Sequence, residues 1–239
     1  KDMITNPKYG SVKEGVRVWN DYVYSFGCGR QLGTDLYGEG TGYVPTPEYY
    51  DKGYNGRWNW GTVINCAIGQ GDLGCTPLQM ANLAAIVANR GYYYIPHIVR
   101  EIEGQDSLDT RFYQRQYTKV DSKYFEHVVE GMWRGVNNDG TCQGAYLKGY
   151  DVCGKTGTAQ NPHGDDHSVF ICFAPKENPK IAVAAYIENG GFGATWAAPI
   201  ASLLVEKYLN GTVSRDYLEQ RMLEGNLMNK TKKKLSING

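Results

Sequence analysis

The chain has 239 residues, with 25 Lys and Arg against 25 Asp and Glu, so its formal charge is zero. This balance argues against a general nucleic-acid-binding protein, which needs a basic surplus to neutralise phosphates. The hydrophobic fraction of 41% excludes wholesale disorder, and no apolar run approaches the roughly 18 residues that a membrane-spanning helix requires.

The first predicted element is a helix over residues 14–26, where apolar side chains recur partly at helical spacing. Residues 27–61 are predicted to be irregular, because glycine and proline recur throughout them. A loop of this length in a compact domain is usually functional or packed by its own aromatic side chains. Tyrosines and tryptophans are frequent in this segment and would supply that packing.

The clearest predicted helix spans residues 76–90. Thr76 is a suitable N-cap, Pro77 fits the first helical position, and Gly91 fits a left-handed cap at the other end. The next predicted elements are an extended segment over residues 92–102 and a helix over residues 122–136.

The last third of the chain consists of short apolar runs that are typical of strands. Three strands are predicted at residues 151–160, 167–174 and 181–188, and the short turns between them indicate antiparallel pairing. A closing helix is predicted over residues 197–209. We therefore expect an α/β (α+β) fold, with an antiparallel sheet flanked by helices over residues 1–211. Residues 212–239 are expected to form a polar, Lys-rich tail.

Two motifs overlap at the first of these strands. Residues 149–156 match the P-loop pattern G-x-x-x-x-G-K-[ST] in full. A P-loop binds phosphates with backbone N–H groups and must open a helix. Gly157 and Pro162 make the following residues a poor helix start. A P-loop nucleotide binder is therefore an alternative that the context disfavours.

The second motif is Lys155-Thr156-Gly157-Thr158, interpreted as a strand. Alternate residues of a strand share a face, so Lys155 and Gly157 point one way and the two threonines the other. Gly157 lets a ligand approach the backbone closely, and an ammonium group beside hydroxyls suits a carboxylate. The backbone N–H of Thr158 would face a developing oxyanion. This pattern is the K-T-G element of serine acyltransferases.

Other segments resemble, in order, those of high-molecular-weight penicillin-binding proteins. They are Phe26-Gly27 with Thr34-Asp35-Leu36, Gly69-Gln70-Gly71 with Thr76–Ala81, His167–Phe170 with Phe173-Ala174-Pro175, and Ile181–Gly191 with Ala197-Ala198-Pro199. With Gly154–Gln160, they make residues 17–208 resemble a class B transpeptidase of the penicillin-binding protein 2 (elongation) type. The resemblance implies a β-lactamase/transpeptidase-like fold.

The resemblance also implies a function, peptidoglycan D,D-transpeptidation through an acyl-serine intermediate. The implied ligands are D-Ala-D-Ala stem peptides and β-lactams, and the implied partners are proteins of cell elongation; no cofactor, metal or nucleic acid is implied. The implied location is the inner membrane with a periplasmic domain. Lys155 would place positive charge near the substrate carboxylate, the Thr156 and Thr158 hydroxyls would bind it, and Gly157 would permit close approach. The Thr158 N–H would supply half of the oxyanion hole.

Two motifs of the family are missing. None of the eight serines has a lysine three residues later, so the S-x-x-K nucleophile is absent. Ser236-Ile237-Asn238 spells S-x-N, but it follows the closing helix, whereas the family's S-x-N precedes the K-T-G strand. We expect the chain to be the C-terminal half of a transpeptidase domain, inactive alone. A non-catalytic cell-wall scaffold relative is the alternative.

Neither zinc nor redox motifs are indicated, because none of the six cysteines forms a C-x-x-C pair. Cys153 and Cys172 lie in apolar strand-like runs, which favours buried thiols. His163 and His167 have a spacing that suits a metal site on a helix. The segment that contains both histidines is predicted to be a turn followed by a strand, so a solvated loop is favoured over a metal site.

Overall fold

The computed structural model describes residues 2–227. The chain divides into two compact units, residues 1–123 and 124–239. The lysines of the predicted tail at 230 and 232–234 and the Ser236-Ile237-Asn238 match lie outside the described residues. Within the described part, none of the helices is long and apolar enough to span a bilayer.

The first unit opens with three helices, α1 (Val12–Ser25), α2 (Pro47–Tyr54) and α3 (Trp60–Val63). Helix α1 confirms the first predicted helix. Helices α2 and α3 lie in the segment predicted to be irregular, and that prediction was wrong there. The Thr46 side chain accepts the Tyr49 N–H at 3.3 Å, and Pro47 occupies the first turn of α2. The frequent glycines obscured this start signal, which is the one recognised at Thr76-Pro77.

The hydrophobic cluster around Tyr50 in the first unit is small. Ile4, Val16, Tyr50 and Val63 form one buried cluster, and the Tyr50 hydroxyl lies 3.4 Å from Cys66 Sγ. The Trp58 indole N–H donates to Asp51 Oδ1 at 2.8 Å. Aromatic side chains of the glycine-rich segment therefore pack the segment itself, as its composition predicts.

Helix α4 (Pro77–Ala88) confirms the clearest predicted helix. It begins with a capping box in which the Thr76 hydroxyl accepts the Gln79 N–H while Gln79 Oε1 accepts the Thr76 N–H. Of the predicted extended segment 92–102, only β1 (Tyr92–Tyr93) is a strand, and it pairs antiparallel with β2 (Gln116–Tyr117).

The second unit is a three-stranded antiparallel sheet with helices. Helix α5 (Phe125–Asn137) precedes three strands in the order β3-β4-β5. The strands are β3 (Cys153–Ala159), β4 (His167–Ala174) and β5 (Ile181–Ile187). Helix α6 (Ala197–Asn210) follows. The predicted strands, their antiparallel pairing and the closing helix are confirmed, and with them the fold class.

One face of this sheet forms the core of the second unit. Phe170 and Cys172 of β4 are fully buried, with Val183 and Ala185 of β5 beside them. Helix α6 packs there through small side chains, among them Ala201. Alanine at the contact lets the helix axis approach the sheet closely, so the sheet and both neighbouring helices share one core.

A further helix, α7 (Asp216–Glu224), lies in the stretch predicted to be a polar tail. The carboxylate of Glu206, fully buried on α6, accepts hydrogen bonds from the Ser214 N–H at 2.9 Å and from Arg215 Nε at 2.8 Å. The Arg215 guanidinium also donates to the carbonyl oxygens of Tyr146 and Ser202. Arg215 thus fixes the chain just before α7 to the second unit.

Candidate functional site

The K-T-G residues lie in the middle of β3, at the edge of the sheet within the described residues. Lys155 is opposite Ile171 of β4, Gly157 is opposite Val169, and Thr158 is opposite Ser168. Alternate residues of a strand face opposite sides of the sheet. Thr156 and Thr158 therefore share the face of the sheet on which Phe170 lies, and Lys155 and Gly157 share the opposite face, as the sequence predicts.

Two side chains of α5 fix the start of β3. The Asn137 amide donates to the Val152 carbonyl at 2.8 Å, and the Trp133 indole N–H donates to Asp151 Oδ1 at 2.8 Å. A Cβ at Gly154 would meet the Phe170 ring, so only glycine lets β3 lie this close to the core. The strand is thus held by α5 just ahead of Lys155.

The backbone of Thr156 is directed away from β4. Its N–H donates to Cys142 Sγ at 3.3 Å, so it does not pair with the neighbouring strand. In an antiparallel ladder the N–H groups of alternate residues point to the same side. The Thr158 N–H is therefore directed to the same outer edge as that of Thr156. A donor at this edge can stabilise negative charge that develops on a carbonyl placed beside it.

The Lys155 ammonium lies at the same edge. Lys155 Nζ donates to the Thr156 carbonyl at 2.7 Å, and its side chain is exposed. A Cβ at Gly157 would meet only Val169, at 3.4 Å, so a ligand can approach the backbone on this face. Positive charge, threonine hydroxyls and an accessible backbone therefore lie within four consecutive residues, a combination that suits a carboxylate ligand.

Thr141 and Cys142 contact the motif from a turn, although no motif in the sequence indicates them. Thr141 Oγ1 lies 3.3 Å from Thr156 Oγ1, and Cys142 Sγ lies 3.7 Å from the same hydroxyl. The Cys142 N–H donates to the Gly135 carbonyl at 2.9 Å, which folds the turn back onto the end of α5. Gly140, whose Cβ would collide with Gly135, is a sequence signal of this close return.

The P-loop alternative fails on geometry. After Thr156 the chain continues as strand to Ala159, and no helix begins there. Lys155 and Thr156 therefore cannot form a loop at a helix N-terminus, which phosphate binding by this motif requires. The match at residues 149–156 is a coincidence of residue types.

His167 and Ser168 have structural partners. His167 Nδ1 accepts the Asn189 N–H at 3.1 Å. The fully buried Ser168 hydroxyl donates to the Phe192 carbonyl at 2.9 Å and accepts the Ala197 N–H at 3.2 Å, which ties β4 to the start of α6. In residues 2–227, no group of three or more His, Cys, Asp or Glu side chains is arranged to hold a metal ion.

The chain is similar to known proteins over most of its length. The family model of the penicillin binding protein transpeptidase domain matches residues 12–206. The peptidoglycan D,D-transpeptidase MrdA of Haemophilus influenzae is 33% identical over 216 residues, covering 82% of this chain and 33% of that protein. MrdA of Escherichia coli K12 is 31% identical over 198 residues, covering 75% and 31%. The chain thus spans about a third of the length of these curated relatives.

Solved structures agree with this assignment. Pseudomonas aeruginosa PBP2, in complex with WCK 5153, has a TM-score of 0.73 and 31% identity, covering 87% of this chain and 46% of that one. Helicobacter pylori PBP2, in complex with MreC, has a TM-score of 0.64 and 26% identity, covering 83% and 36%. The family resemblance predicted from the K-T-G strand and its surroundings is confirmed, and the chain belongs to the penicillin-binding protein transpeptidase family, of the penicillin-binding protein 2 type.

Proposed function

We propose that this chain supplies the substrate-binding strand of a serine-type peptidoglycan D,D-transpeptidase. The observation that carries the proposal is the Lys155-Thr156-Gly157-Thr158 strand at a sheet edge, in a chain of this family. The substrate is a stem peptide that ends in D-Ala-D-Ala, and β-lactams bind in its place. Relatives named peptidoglycan D,D-transpeptidase support the reaction class.

Each residue of the strand has a proposed role. Lys155 places positive charge near the terminal carboxylate of the stem peptide, and the hydroxyls of Thr156 and Thr158 bind that carboxylate. Gly157 lets the peptide lie against the strand. The Thr158 N–H, directed to the outer edge, donates to the oxyanion of the tetrahedral intermediate. One such donor typically contributes about 3 kcal/mol to the stability of the transition state.

The reaction proceeds in two steps. A serine hydroxyl attacks the carbonyl carbon between the two D-alanines, the terminal D-alanine leaves, and an acyl-serine forms. An amine of a second stem peptide then attacks the acyl carbon and releases the serine, which completes the cross-link. The covalent intermediate divides one difficult acyl transfer into two easier ones, and β-lactams stop the enzyme at the acyl stage.

The nucleophilic serine lies outside these 239 residues. None of the eight serines has a lysine three residues later. Ser168 and Ser202 are fully buried with their hydroxyls bonded to backbone carbonyls, and the Ser214 hydroxyl donates to Glu206. A nucleophile needs an adjacent base and access to substrate. The buried hydroxyls of Ser168 and Ser202 have neither, and none of the eight serines has the lysine that the family's nucleophile requires, so we expect the 239 residues alone to form no acyl-enzyme.

The proposed setting is cell elongation outside the cytoplasm, on a protein anchored in the inner membrane. A Helicobacter pylori relative of this fold is described in complex with MreC, which supports a partner among elongation proteins. A second candidate is a non-catalytic scaffold of cell-wall assembly. It is favoured by the absence of S-x-x-K from the sequence.

Intact-mass measurement with benzylpenicillin tests the proposal. The 239-residue chain and the gene product that includes the region encoded upstream of Lys1 are each incubated with the drug. We expect an unchanged mass for the first and one covalent adduct on a serine followed by x-x-Lys for the second. An adduct on any of the eight serines would refute the placement of the nucleophile. If neither protein forms an adduct, the proposed transpeptidase activity is refuted and the non-catalytic scaffold remains as the candidate function.

A further inference from the structure

Cys28 and Cys75 form a second cluster of nucleophilic side chains, within the first unit and apart from the K-T-G strand. All six cysteines are free thiols. The thiols of Cys28 and Cys75 interact electrostatically with each other, and the buried side chain of Gln79 is hydrogen-bonded to the backbone beside both of them. Cys28 is buried and Cys75 is half-buried, so Cys75 is the more exposed residue of the pair.

A single buried amide fixes the backbone on both sides of this pair. Gln79, 1% exposed, donates from Nε2 to the carbonyl of Gly27 at 3.1 Å and to that of Arg30 at 2.9 Å. Its Oε1 accepts the N–H of Thr76 at 3.0 Å. Gly27 precedes Cys28 and Thr76 follows Cys75. The same amide therefore holds the backbone next to each cysteine and keeps the two residues close together.

A backbone bridge holds the other side of Cys75. The Tyr43 N–H donates to the Gly74 carbonyl at 2.7 Å, and the Gly74 N–H donates to the Tyr43 carbonyl at 2.9 Å. A Cβ at Gly42 would collide with the Gly74 carbonyl oxygen, which shows how closely the two segments pack. Residues 74–76 are thus anchored before and after the cysteine.

The two thiols are not equivalent. The hydrogen bond donated by the Cys28 thiol lowers the pKa of Cys75. The same bond, together with burial, raises the pKa of Cys28. Because the thiolate is the reactive form of cysteine, Cys75 is the better nucleophile and the more accessible one. Cys28 is placed to react second.

We propose that Cys28 and Cys75 form a reversible dithiol–disulfide pair, oxidised by the disulfide of a small thiol or of a thiol–disulfide oxidoreductase. The Cys75 thiolate attacks one sulfur of the oxidant, whose disulfide breaks and releases a first thiol. Cys28, deprotonated, then attacks the Cys75 sulfur of the mixed disulfide and releases the second thiol. Two electrons and two protons pass to the oxidant, and one S–S bond forms within the chain.

The bond would join the glycine-rich segment after α1 to the start of α4. Because the two cysteines are far apart in sequence, closing this loop restricts the unfolded chain, and the oxidised protein should melt at a higher temperature. The K-T-G strand takes no part in the bond. The inference is therefore independent of the proposed function.

Peptide mapping of the whole chain tests the pair. The protein is incubated with oxidised glutathione or with dithiothreitol, free thiols are alkylated, and the chain is cleaved at Lys and Arg and before Asp. Cleavage before Asp72 separates Cys75 from Cys66. We expect peptide 21–30 linked to peptide 72–90, a mass lower by about 2 Da from the loss of two hydrogens, and four free thiols in place of six.

Single variants supply the control. Cys75→Ser should abolish the mass loss, whereas Cys66→Ser, at a buried thiol bonded to Tyr50, should retain it. Six alkylated cysteines after oxidation, a stable glutathione adduct on Cys75, or a link to any other cysteine would each overturn the proposal. Peptide mapping of the chain without substitutions tests the proposed disulfide even if a variant does not fold.

Discussion

The sulfur of Cys142 accepts the backbone N–H of Thr156 at 3.3 Å, in the centre of the K-T-G strand. Cys142 is fully buried, and Thr141 beside it brings its hydroxyl to 3.3 Å from that of Thr156. The turn that follows α5 therefore holds both the backbone and the side chain of Thr156. The position of the strand depends on this turn as much as on its pairing with β4.

Replacing Cys142 tests whether its hydrogen bond with Thr156 stabilises the strand. Cys142→Ala removes the acceptor of the Thr156 N–H, and we expect a loss of about 1–3 kcal/mol in the free energy of unfolding. Cys142→Ser keeps an acceptor and should lose less. Urea unfolding gives the values, with Cys172→Ala as a control at another fully buried cysteine of the same unit. Equal losses for Cys142→Ala and Cys142→Ser would contradict the role of the hydrogen bond.

Gly154 and Gly157 should respond differently to the same substitution. Gly154→Ala places a Cβ against the Phe170 ring and within 3.2 Å of Val136, and we expect about 1–3 kcal/mol of destabilisation. Gly157→Ala meets only Val169 and should change the free energy of unfolding little. It should instead slow acylation by penicillin in the protein that carries the serine. Comparable destabilisation by both variants would contradict this distinction.

Thr158→Val tests the proposed carboxylate contact. Valine removes the hydroxyl and keeps the backbone N–H, so binding of the ligand should weaken while the limiting acylation rate changes little. A hydrogen bond to a charged group contributes about 1.5–3 kcal/mol, so we expect at least about a tenfold rise in the half-saturating penicillin concentration. Stopped-flow acylation measures both quantities. Thr212→Val, at an exposed site in the same unit, is the control. An unchanged half-saturating concentration would refute the role of the hydroxyl.

Glu206 should make the second unit sensitive to acid. Burial raises the pKa of this carboxyl, but hydrogen bonds from Ser214 and Arg215 outweigh burial and leave the pKa below its usual value of 4.5. The stability that these bonds contribute is present above pH 4.5 and is lost as the pH falls through the lower, folded-state pKa.

Glu206→Gln tests that dependence. We expect a loss of about 2 kcal/mol in the free energy of unfolding at pH 7, because the ion pair with Arg215 is replaced by neutral hydrogen bonds. The difference from the unsubstituted protein should shrink below pH 4.5. Denaturant unfolding across this range measures it, and a difference that does not change with pH would show that the carboxylate charge has no part in holding Ser214 and Arg215.

Local signals predicted most of the fold. The Thr76-Pro77 start of α4 and the alternation along β3 depend only on neighbouring residues, and both are confirmed. Helix α2 has the same kind of start and was missed because the surrounding glycines dominated the interpretation. Helix α7 was missed because the Arg215–Glu206 ion pair that fixes its start is a contact between elements.

The site was only partly predictable for the same reason. The four residues of the motif are consecutive, so their faces follow from the period of a strand. The contact of Cys142 with Thr156 joins positions 14 residues apart and depends on how the turn after α5 folds back. The proximity of Cys28 to Cys75 likewise depends on the three-dimensional position of Gln79. The spacing of residues in the sequence predicts neither of these two relationships.

The occupied backbone of Thr156 also bears on aggregation. An open sheet edge is a template on which a second molecule can add a strand. At Thr156 the Cys142 sulfur covers the amide and the Lys155 ammonium covers the carbonyl. A continuous intermolecular ladder along β3 would have to displace both, and would place a charged ammonium in its path. The contacts that position the motif therefore also protect this edge from pairing with another copy of the chain.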